Sequence, residues 1–296
     1  MQKKTQKKVL HFTLLVVAVC LFFGLQMEFT PVSGAKLSAD TLKSLFPIPV
    51  VNITNSILTT WAVTLLILIF AFFARRNASI IPTKTQVVAE AIIGFFLEKL
   101  EMAMGSRQEA KKLLPAIVTV FLLVLGSNQF GLLPFFGSVT TPDGPLFRTP
   151  TADYSLTIAL AVMLIGMGHF IAFFRAPWSH FCNFIKINQL FKIRKFSDIP
   201  MACLEIFLGI LDIIGELAKM MSMSSRLFGN LVAGDLMIGI ISGLAFFSAF
   251  LVPLPFIFLS AFSGIVQAFV FSLLALQFMA GTIKSVPTPE SSSQKP

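Results

Sequence analysis

The residues most able to take part in chemistry lie between positions 200 and 250, in a stretch that otherwise has the composition of a membrane helix. Charged side chains interrupt it, among them Asp212, Glu216, Lys219, Arg226 and Asp235. A charge at the centre of a bilayer costs at least about 2.5 to 3.5 kcal/mol on insertion scales. An arginine at this depth requires an anionic partner or a functional role, and intramembrane charges typically line ion or substrate pathways. We therefore take this stretch as the candidate functional site.

A helical projection at about 100° per residue sorts these side chains by face. Asp212 and Lys219 project near the Arg226 face on one side of the arginine, whereas Asp235 projects to the opposite face on the other side. Small residues that allow another helix to approach closely share the Arg226 face: Ser222, Ser225, Gly229 and Ala233. Such spacing usually serves plain helix packing, but close approach at an intramembrane cation requires an anionic neighbour. Acids at two depths and on two faces match two offset aqueous half-channels separated by a cation.

The composition predicts a polytopic membrane protein. Of 296 residues, 55% are hydrophobic and 12% are charged, with a mean hydropathy of +0.84, which leaves too little polar surface for a soluble globule. The net charge of +9 comes from short Lys and Arg clusters between apolar runs, which set orientation rather than bind nucleic acid. Three scattered cysteines, without CxxC spacing, indicate neither a disulfide framework nor a metal site. No P-loop or catalytic triad occurs, so we expect no cofactor and no catalysis by this chain alone.

Residues 1–26 have two open interpretations. A lysine cluster precedes an apolar run at residues 9–25, which is the layout of a secretory signal peptide but is nearly long enough to span a membrane. The segment is therefore either a signal peptide or an extra N-terminal membrane helix. In both cases residues 27–54 are expected to be external.

The membrane domain is predicted over residues 55–284. Apolar runs indicate spanning helices at residues 56–74, 113–133 and 154–174, from Pro200 onward, and at 256–283, whereas residues 87–104 form a helix along the cytoplasmic membrane surface. Basic clusters place residues 75–112 and the loop after Arg175 in the cytoplasm. Residues 285–296 are predicted to be a disordered cytoplasmic tail. The fold class is all-α, with about five to six membrane helices.

The last two helices are predicted to form a long, strongly tilted hairpin. Residues 202–250 contain no proline, and an unbroken helix of that length would extend about 70 Å, against a hydrocarbon core of about 30 Å. Strong inclination accommodates that length, and Pro253 and Pro255 form the bend before the final helix. A break at one of the glycines is the alternative.

The motifs resemble a known family. Residues 225–230 read SRLFGN and residues 233–235 read AGD, which is similar to the SLRLFGN signature, with its AGE or AGH continuation, of subunit a of bacterial F-type ATP synthases. Supporting motifs occur in the same order on other helices: GSN at 126–128, GLLP at 131–134, PTAD at 150–153 and IVQAF at 265–269. The resemblance covers residues 45–284.

The resemblance implies a proton-channel stator subunit of the Fo sector in the bacterial inner membrane. Such a subunit supplies two half-channels and an arginine that faces the carboxylates of a rotating c-ring, and so couples proton flow to ATP synthesis. The implied partners are the c-ring subunits, the b-subunit peripheral stalk and membrane lipid. The coupling ion is expected to be H⁺, although the ring supplies the ion ligands.

The resemblance also implies roles for individual residues. Arg226 matches the essential arginine, and Asn230 and Gln267 match its polar neighbours. Asp235 matches the acidic or histidine position of the outer half-channel, and Asp212 an acidic position toward the cytoplasmic exit.

Three further residues complete or qualify the predicted site. Glu216 joins the predicted set for proton translocation. Ser260, with Ser263 near it, occupies a position where many members carry His or Glu, so the outer channel has one titratable group instead of two. His169 is interpreted as a packed or hydrogen-bonded helix residue, with a proton-path role as the less favoured alternative.

Two other functional classes compete with this prediction. A secondary transporter could dock a substrate carboxylate on Arg226, but it would favour inverted repeats, and the halves of this chain show none. A membrane scaffold without transport would leave the intramembrane charges unexplained.

Overall fold

The computed structural model describes residues 54–76, 83–132, 140–141, 144–145, 148–177, 199–244 and 254–285. Within these ranges there are six α-helices: α1 (Asn55–Arg76), α2 (Lys84–Met104), α3 (Arg107–Gly131), α4 (Tyr154–Arg175), α5 (Ile199–Leu244) and α6 (Leu254–Lys284). A two-residue antiparallel pair (Thr140–Thr141 with Gly144–Pro145) and a 3-10 turn (Pro150–Ala152) lie between α3 and α4. The predicted all-α class is confirmed. The predictions for residues 1–53 and 286–296 fall outside the described residues.

Four of the described helices are long and apolar enough to cross a membrane: α1, α3, α4 and α6. The 46-residue α5 is longer than any of them but carries the charged side chains of the candidate site. A polytopic membrane protein, as predicted from composition, is therefore confirmed. The predicted surface helix corresponds to α2, which is not among the helices that are long and apolar enough to cross a membrane.

An aromatic cluster joins the three helices α2, α3 and α6. Phe96 of α2 and Phe121 of α3 are buried, and their ring centroids lie 5.0 Å apart. Phe269 of α6 packs against Phe121 at 4.6 Å and against Phe95 of α2 at 5.7 Å. Burying a Phe side chain contributes about 1.5 to 3 kcal/mol. This cluster holds α6 against α3, and α6 in turn lines the candidate site.

The helix α3 begins at Arg107, six residues before the predicted start at Leu113. The prediction followed hydropathy and therefore stopped at the charged residues. Gly105 ends α2 in a left-handed conformation with φ of 72°, and α3 starts directly after the turn. Its polar first turns are stabilised by Glu109, which pairs with Lys112 at 2.6 Å and with Arg175 of α4 at 2.6 Å.

The helix α5 is unbroken from Ile199 to Leu244 and passes through Gly229 and Gly234 without interruption. The alternative of a break at a glycine is therefore wrong within this range. At about 1.5 Å per residue the 46 residues extend about 70 Å, more than twice the hydrocarbon thickness of about 30 Å.

We expect α5 to be inclined to the membrane normal by far more than the average of about 20° for spanning helices. Its length cannot be accommodated upright without placing charged residues and apolar turns on the wrong side of the interface. Oriented-sample solid-state NMR of the complex in bilayers, with ¹⁵N-labelled α5, would measure the angle. The 22-residue α1, which fits a normal crossing, is the internal control. An upright α5 would contradict the prediction.

Candidate functional site

Arg226 lies on an exposed face of α5. The small residues predicted to share that face are exposed as well: Ser222, Ser225, Gly229 and Ala233. A Cβ atom added to Gly229 would meet nothing within 4 Å, so the space beside the arginine is open. The buried side of the same helix consists of Met223, Ser224, Leu227 and Leu231. The chain thus presents Arg226 outward on a groove of small side chains.

Arg226 has no acidic partner among the described residues. The ion pairs in that part of the chain join other residues: Arg107 with Glu101, Lys112 and Arg175 with Glu109, and Lys219 and His169 with Glu216. A cation at membrane depth is costly unless it is paired. The anion that compensates Arg226 is therefore expected to come from another molecule.

Tyr154 fixes α5 against the start of α4 near Arg226. Its hydroxyl lies 3.3 Å from Ser225 Oγ, and its ring meets Phe228 edge to face at 5.2 Å. These two contacts flank Arg226 in sequence. They hold this part of α5 in place while leaving the arginine exposed.

A cavity of about 160 Å³ lies C-terminal to Arg226 along α5, between α5, α6, α3 and the turn before α4. Asp235 and Asn230 of α5 line it together with Ser260 and Ser263 of α6. Ser263 donates a hydrogen bond of 2.7 Å to Asn230 Oδ1. No hydrogen bond to the Asp235 carboxylate is formed by the described residues. The predicted residues Asp235, Asn230 and Ser260 therefore meet at one cavity, whose remaining lining is largely apolar.

Gly234 and Ser260 mark the closest approach of α5 and α6 at this cavity. A Cβ atom added to Gly234 would come within 2.9 Å of Ser260 Oγ, which is closer than van der Waals contact. Only glycine permits this spacing without displacing the serine. Ser260 is thus adjacent to the residue that precedes Asp235.

The structure adds two polar lining residues that the sequence did not assign to the cavity, Asn128 of α3 and Thr149. Asn128 is buried; it donates to Gly264 O at 3.0 Å and accepts a 2.8 Å bond from Thr151 Oγ1. The neighbouring Gln129 donates to Ala261 O at 3.0 Å. The GSN motif on α3 was the available signal, but it indicated family membership rather than a position at the cavity.

A second polar group lies at the start of α4. Asp153 accepts a 2.8 Å hydrogen bond from Ser56 of α1 and a 3.1 Å bond from the Ser155 amide. Burial raises the pKa of the Asp153 carboxyl above its ordinary value, while these hydrogen bonds and the charge of Arg148 oppose the shift. The charge of Arg148 also acts on the Asp235 carboxylate. Arg148, which the sequence analysis did not identify, is thus an electrostatic neighbour of the cavity.

Gln267 lies apart from the cavity. It is 8% exposed, and its Nε2 has no hydrogen-bond partner among the described residues. A buried amide without a partner costs about 1 to 3 kcal/mol, which favours a water molecule or a group from another chain at this position.

The charged residues on the other side of Arg226 lie at the interface of α5 with α4. Glu216 pairs with Lys219 at 2.6 Å and with His169 of α4 at 3.4 Å. Asp212 is exposed. His169 was interpreted as a packed or hydrogen-bonded residue, and its partner is now identified as a predicted site residue.

Among the described residues, no group of three or more His, Cys, Asp and Glu side chains is arranged to hold a metal ion. The site instead combines an exposed arginine, a cavity with one carboxylate and separate acidic groups on α5, which packs against the apolar helices α4 and α6. This combination defines a class of integral membrane proteins that move ions.

Comparison with known proteins identifies the family. The sequence model described as "ATP synthase A chain" matches residues 57–280. ATP synthase subunit a of Moorella thermoacetica is 31% identical over 249 residues, covering 81% of this chain and 94% of the relative. ATP synthase subunit a 1 of Pelobacter propionicus is 30% identical over 230 residues, covering 78% of this chain and 88% of the relative. The chain belongs to the ATP synthase A chain family and is an ion-translocating, non-catalytic subunit type of the Fo sector.

A third relative bears on the transported ion. The protein named "ATP synthase subunit a, sodium ion specific" of Propionigenium modestum is 31% identical over 237 residues, covering 78% of this chain and 74% of the relative. The family resemblance predicted from the motifs is confirmed, and the identity of the ion is not fixed by it.

Proposed function

We propose that this chain is the stator of a rotary proton channel, with Arg226 facing the carboxylates of a rotating c-ring. The observation that carries the proposal is the exposure of Arg226 on a face of small residues, without an acidic partner among the residues that the structure describes. A ring of helices carrying carboxylates fits both features, because small residues permit close approach and the carboxylate supplies the missing anion.

The electrostatics of that encounter explain proton release. A ring carboxylic acid is neutral in lipid and carries its proton there at low cost. Beside Arg226 the opposite charge favours the ionised form and therefore releases the proton. The fixed guanidinium also blocks direct proton flow between the two half-channels. Each charge that crosses the membrane potential releases about 2.3 kcal/mol per 100 mV, so several protons are needed for each ATP.

We assign the outer half-channel to the cavity at Asp235. Asp235 is the titratable side chain among its lining residues, and Asn230, Ser260, Ser263, Asn128 and Thr149 supply groups that can hold water. Gln267, buried on the same helix as Ser260, acts as a polar neighbour of the path toward the ring. Protons are accepted from the external side and passed to the ring carboxylate.

We assign the inner half-channel to Asp212 and Glu216 of α5. Both lie on the N-terminal side of Arg226, whereas Asp235 lies on the C-terminal side. The two sets of acids therefore lie on opposite sides of Arg226 along the unbroken helix. Their separation about Arg226 is what prevents a direct proton path.

The proposal extends to partners and location. The b-subunit stalk and membrane lipid would cover apolar faces such as that of α1, where Phe72 and Phe73 are exposed. Basic residues at the ends of α1, α4 and α6 (Arg76, Arg175 and Lys284) favour a cytoplasmic position of those ends. We therefore propose that the chain lies in the bacterial inner membrane with its C-terminus inside. We propose H⁺ as the coupling ion, since the cavity presents a titratable carboxyl.

Crosslinking would test the proposed interface. We expect Ser222→Cys to form a disulfide with a cysteine placed beside the ring carboxylate, because Ser222 shares the open face with Arg226. The purified complex should contain a ring of small two-helix subunits. Val162→Cys, on an exposed position of α4, is the matched control and should not crosslink. Absence of such a ring, or equal crosslinking by both variants, would favour a secondary transporter or a scaffold instead.

A further inference from the structure

The contact between α4 and α5 brings together two titratable side chains that are far apart in sequence. His169 Nε2 lies 3.4 Å from Glu216 Oε2, and the other carboxylate oxygen of Glu216 accepts a 2.6 Å hydrogen bond from Lys219. Glu216 therefore uses its two oxygens for two different cationic or protonatable partners. Such a pair is unexpected at a helix interface formed mainly by apolar residues.

The pair occupies a position comparable to that of Asp235 on the opposite side of Arg226. Glu216 precedes Arg226 by ten residues, or about 15 Å along the helix, and Asp235 follows it by nine residues, or about 14 Å. The outer half-channel ends at Asp235 in our proposed function. Glu216, with His169 beside it, lies at about the same distance from Arg226 in the opposite direction along α5.

The surroundings of the pair are intermediate between the core and solvent. The side chains of His169 and Glu216 are 21% and 19% exposed, and that of Lys219 is 39% exposed. Partial exposure permits exchange with water while keeping the two groups close together. Neither group is sealed in the hydrophobic core.

The charged groups around the pair belong to four helices. On α5 they are Lys219 and the exposed Asp212. On α4 the next charge is Arg175, which pairs with Glu109 of α3, where Lys112 also binds. α6 contributes the Phe278 ring, 5.4 Å from the Lys219 ammonium, and carries its described charge at Lys284. The groups in direct contact with Glu216 are thus His169 and Lys219.

We propose that Glu216 and His169 form a two-group relay that releases protons to the cytoplasm. The relay rests on the proposed function, since it requires protons to arrive from the ring beside Arg226. The Glu216 carboxylate takes up a proton that arrives from the ring and passes it to His169 Nε2, which leaves a carboxylate and an imidazolium. The imidazolium then transfers a proton to water, giving neutral imidazole and a hydronium ion, so that the relay returns to its starting state.

The residue types suit these steps. Imidazole is the side chain that exchanges protons between pH 5 and 8, which makes histidine a common proton shuttle. The ammonium of Lys219 stabilises the carboxylate that remains after Glu216 gives up its proton. The inner path would therefore contain two titratable groups in contact, whereas the cavity on the outer side contains one.

The test compares His169→Gln with the unmodified whole complex in proteoliposomes. Glutamine retains a hydrogen-bonding group toward Glu216 but carries no exchangeable charge. ATP synthesis is measured at one fixed voltage and one fixed pH difference while both pH values are shifted together, so that the driving force stays constant. The unmodified complex should run several-fold faster than His169→Gln, which has no imidazole to carry the proton onward. The pH profiles of the two complexes should differ in shape, because the variant lacks one titratable group on the path.

Two further variants separate a relay from a structural contact. Glu216→Gln should cause a similar loss, and the double variant should be no slower than either single variant, because both residues serve one step. Exchanging the groups, with His169→Glu and Glu216→His in one chain, should restore a large part of the rate. Phe170→Leu, next to His169 on an exposed position, should keep the unmodified pH profile.

A wild-type rate and pH profile in His169→Gln would overturn the relay. Additive losses of rate in the double variant would also overturn it. So would an exchange variant that assembles but does not recover the rate. Failure of His169→Gln to assemble would leave the exchange variant to decide, since it retains both groups. Arg226→Ala is measured in parallel. Coupled synthesis in Arg226→Ala would refute the proposed function itself, whereas loss there with no effect of His169→Gln would refute only the relay.

Discussion

Replacing Arg226 with alanine is expected to abolish coupled ATP synthesis while leaving the complex assembled. The side chain is exposed and makes no ion pair with the described residues, so its removal leaves none of them without an ionic partner. It does remove the cation that promotes proton release from the ring and separates the two half-channels. ATP synthesis and ATP-driven proton pumping in inverted membrane vesicles, together with subunit content by gel, would measure both outcomes.

Two variants sharpen this prediction. Arg226→Lys should also fail, since an ammonium lacks the planar guanidinium and loses its proton more readily when buried. Arg76→Ala removes an exposed cation at the end of α1, outside the site, and should keep the unmodified rate. Near-normal synthesis by assembled Arg226→Ala would show that the arginine has another role.

Asp235→Asn is expected to reduce proton-driven synthesis severely. Asp235 is the titratable side chain among the residues lining the cavity, and the other polar residues there can hold water but do not change charge in this role. Water chains carry protons between titratable groups but do not replace one. The loss should appear as a lower rate of synthesis at saturating ADP and phosphate, with ATP hydrolysis by the detached catalytic sector unchanged.

The cavity offers a rescue for this variant. Ser260 lies next to Gly234 across the closest approach of α5 and α6, and it lines the same cavity as Asp235. Adding Ser260→Glu to Asp235→Asn should therefore return a carboxylate to this space and recover part of the rate. Ser260→Gln, equal in size but not titratable, is the matched control and should recover nothing. Equal recovery by both, or full activity of Asp235→Asn alone, would contradict the assigned proton entry.

Much of the architecture could be predicted because it depends on local features of the sequence. The proline-free run predicted the continuous α5, and helical periodicity placed Arg226 among small residues on one face. The predicted start of α3 was wrong because the true start depends on a contact with another helix. Its polar first turns are stabilised by a partner on another helix, Arg175, and hydropathy carries no information about that contact.

The remaining features depend on how helices rotate against one another. Asn128 reaches the cavity because α3 packs on α6 and donates to the Gly264 carbonyl. His169 reaches Glu216 because α4 and α5 cross at that level. Both contacts join residues more than 40 positions apart, so neither spacing nor composition could have indicated them. The motif predicted which residues belong to the site, and packing determines which of them meet.

The unbroken course of α5 also has a mechanical consequence. A ring carboxylate that attracts Arg226 exerts a sideways pull on the helix at every step. Because the backbone hydrogen bonds continue from Ile199 to Leu244 through the glycines and serines of the helix, where sharp bends are otherwise favoured, α5 is expected to bear that load without kinking. Elastic energy stored between successive steps would then accumulate in other parts of the complex. The Arg226 guanidinium would keep its position between the two half-channels under torque.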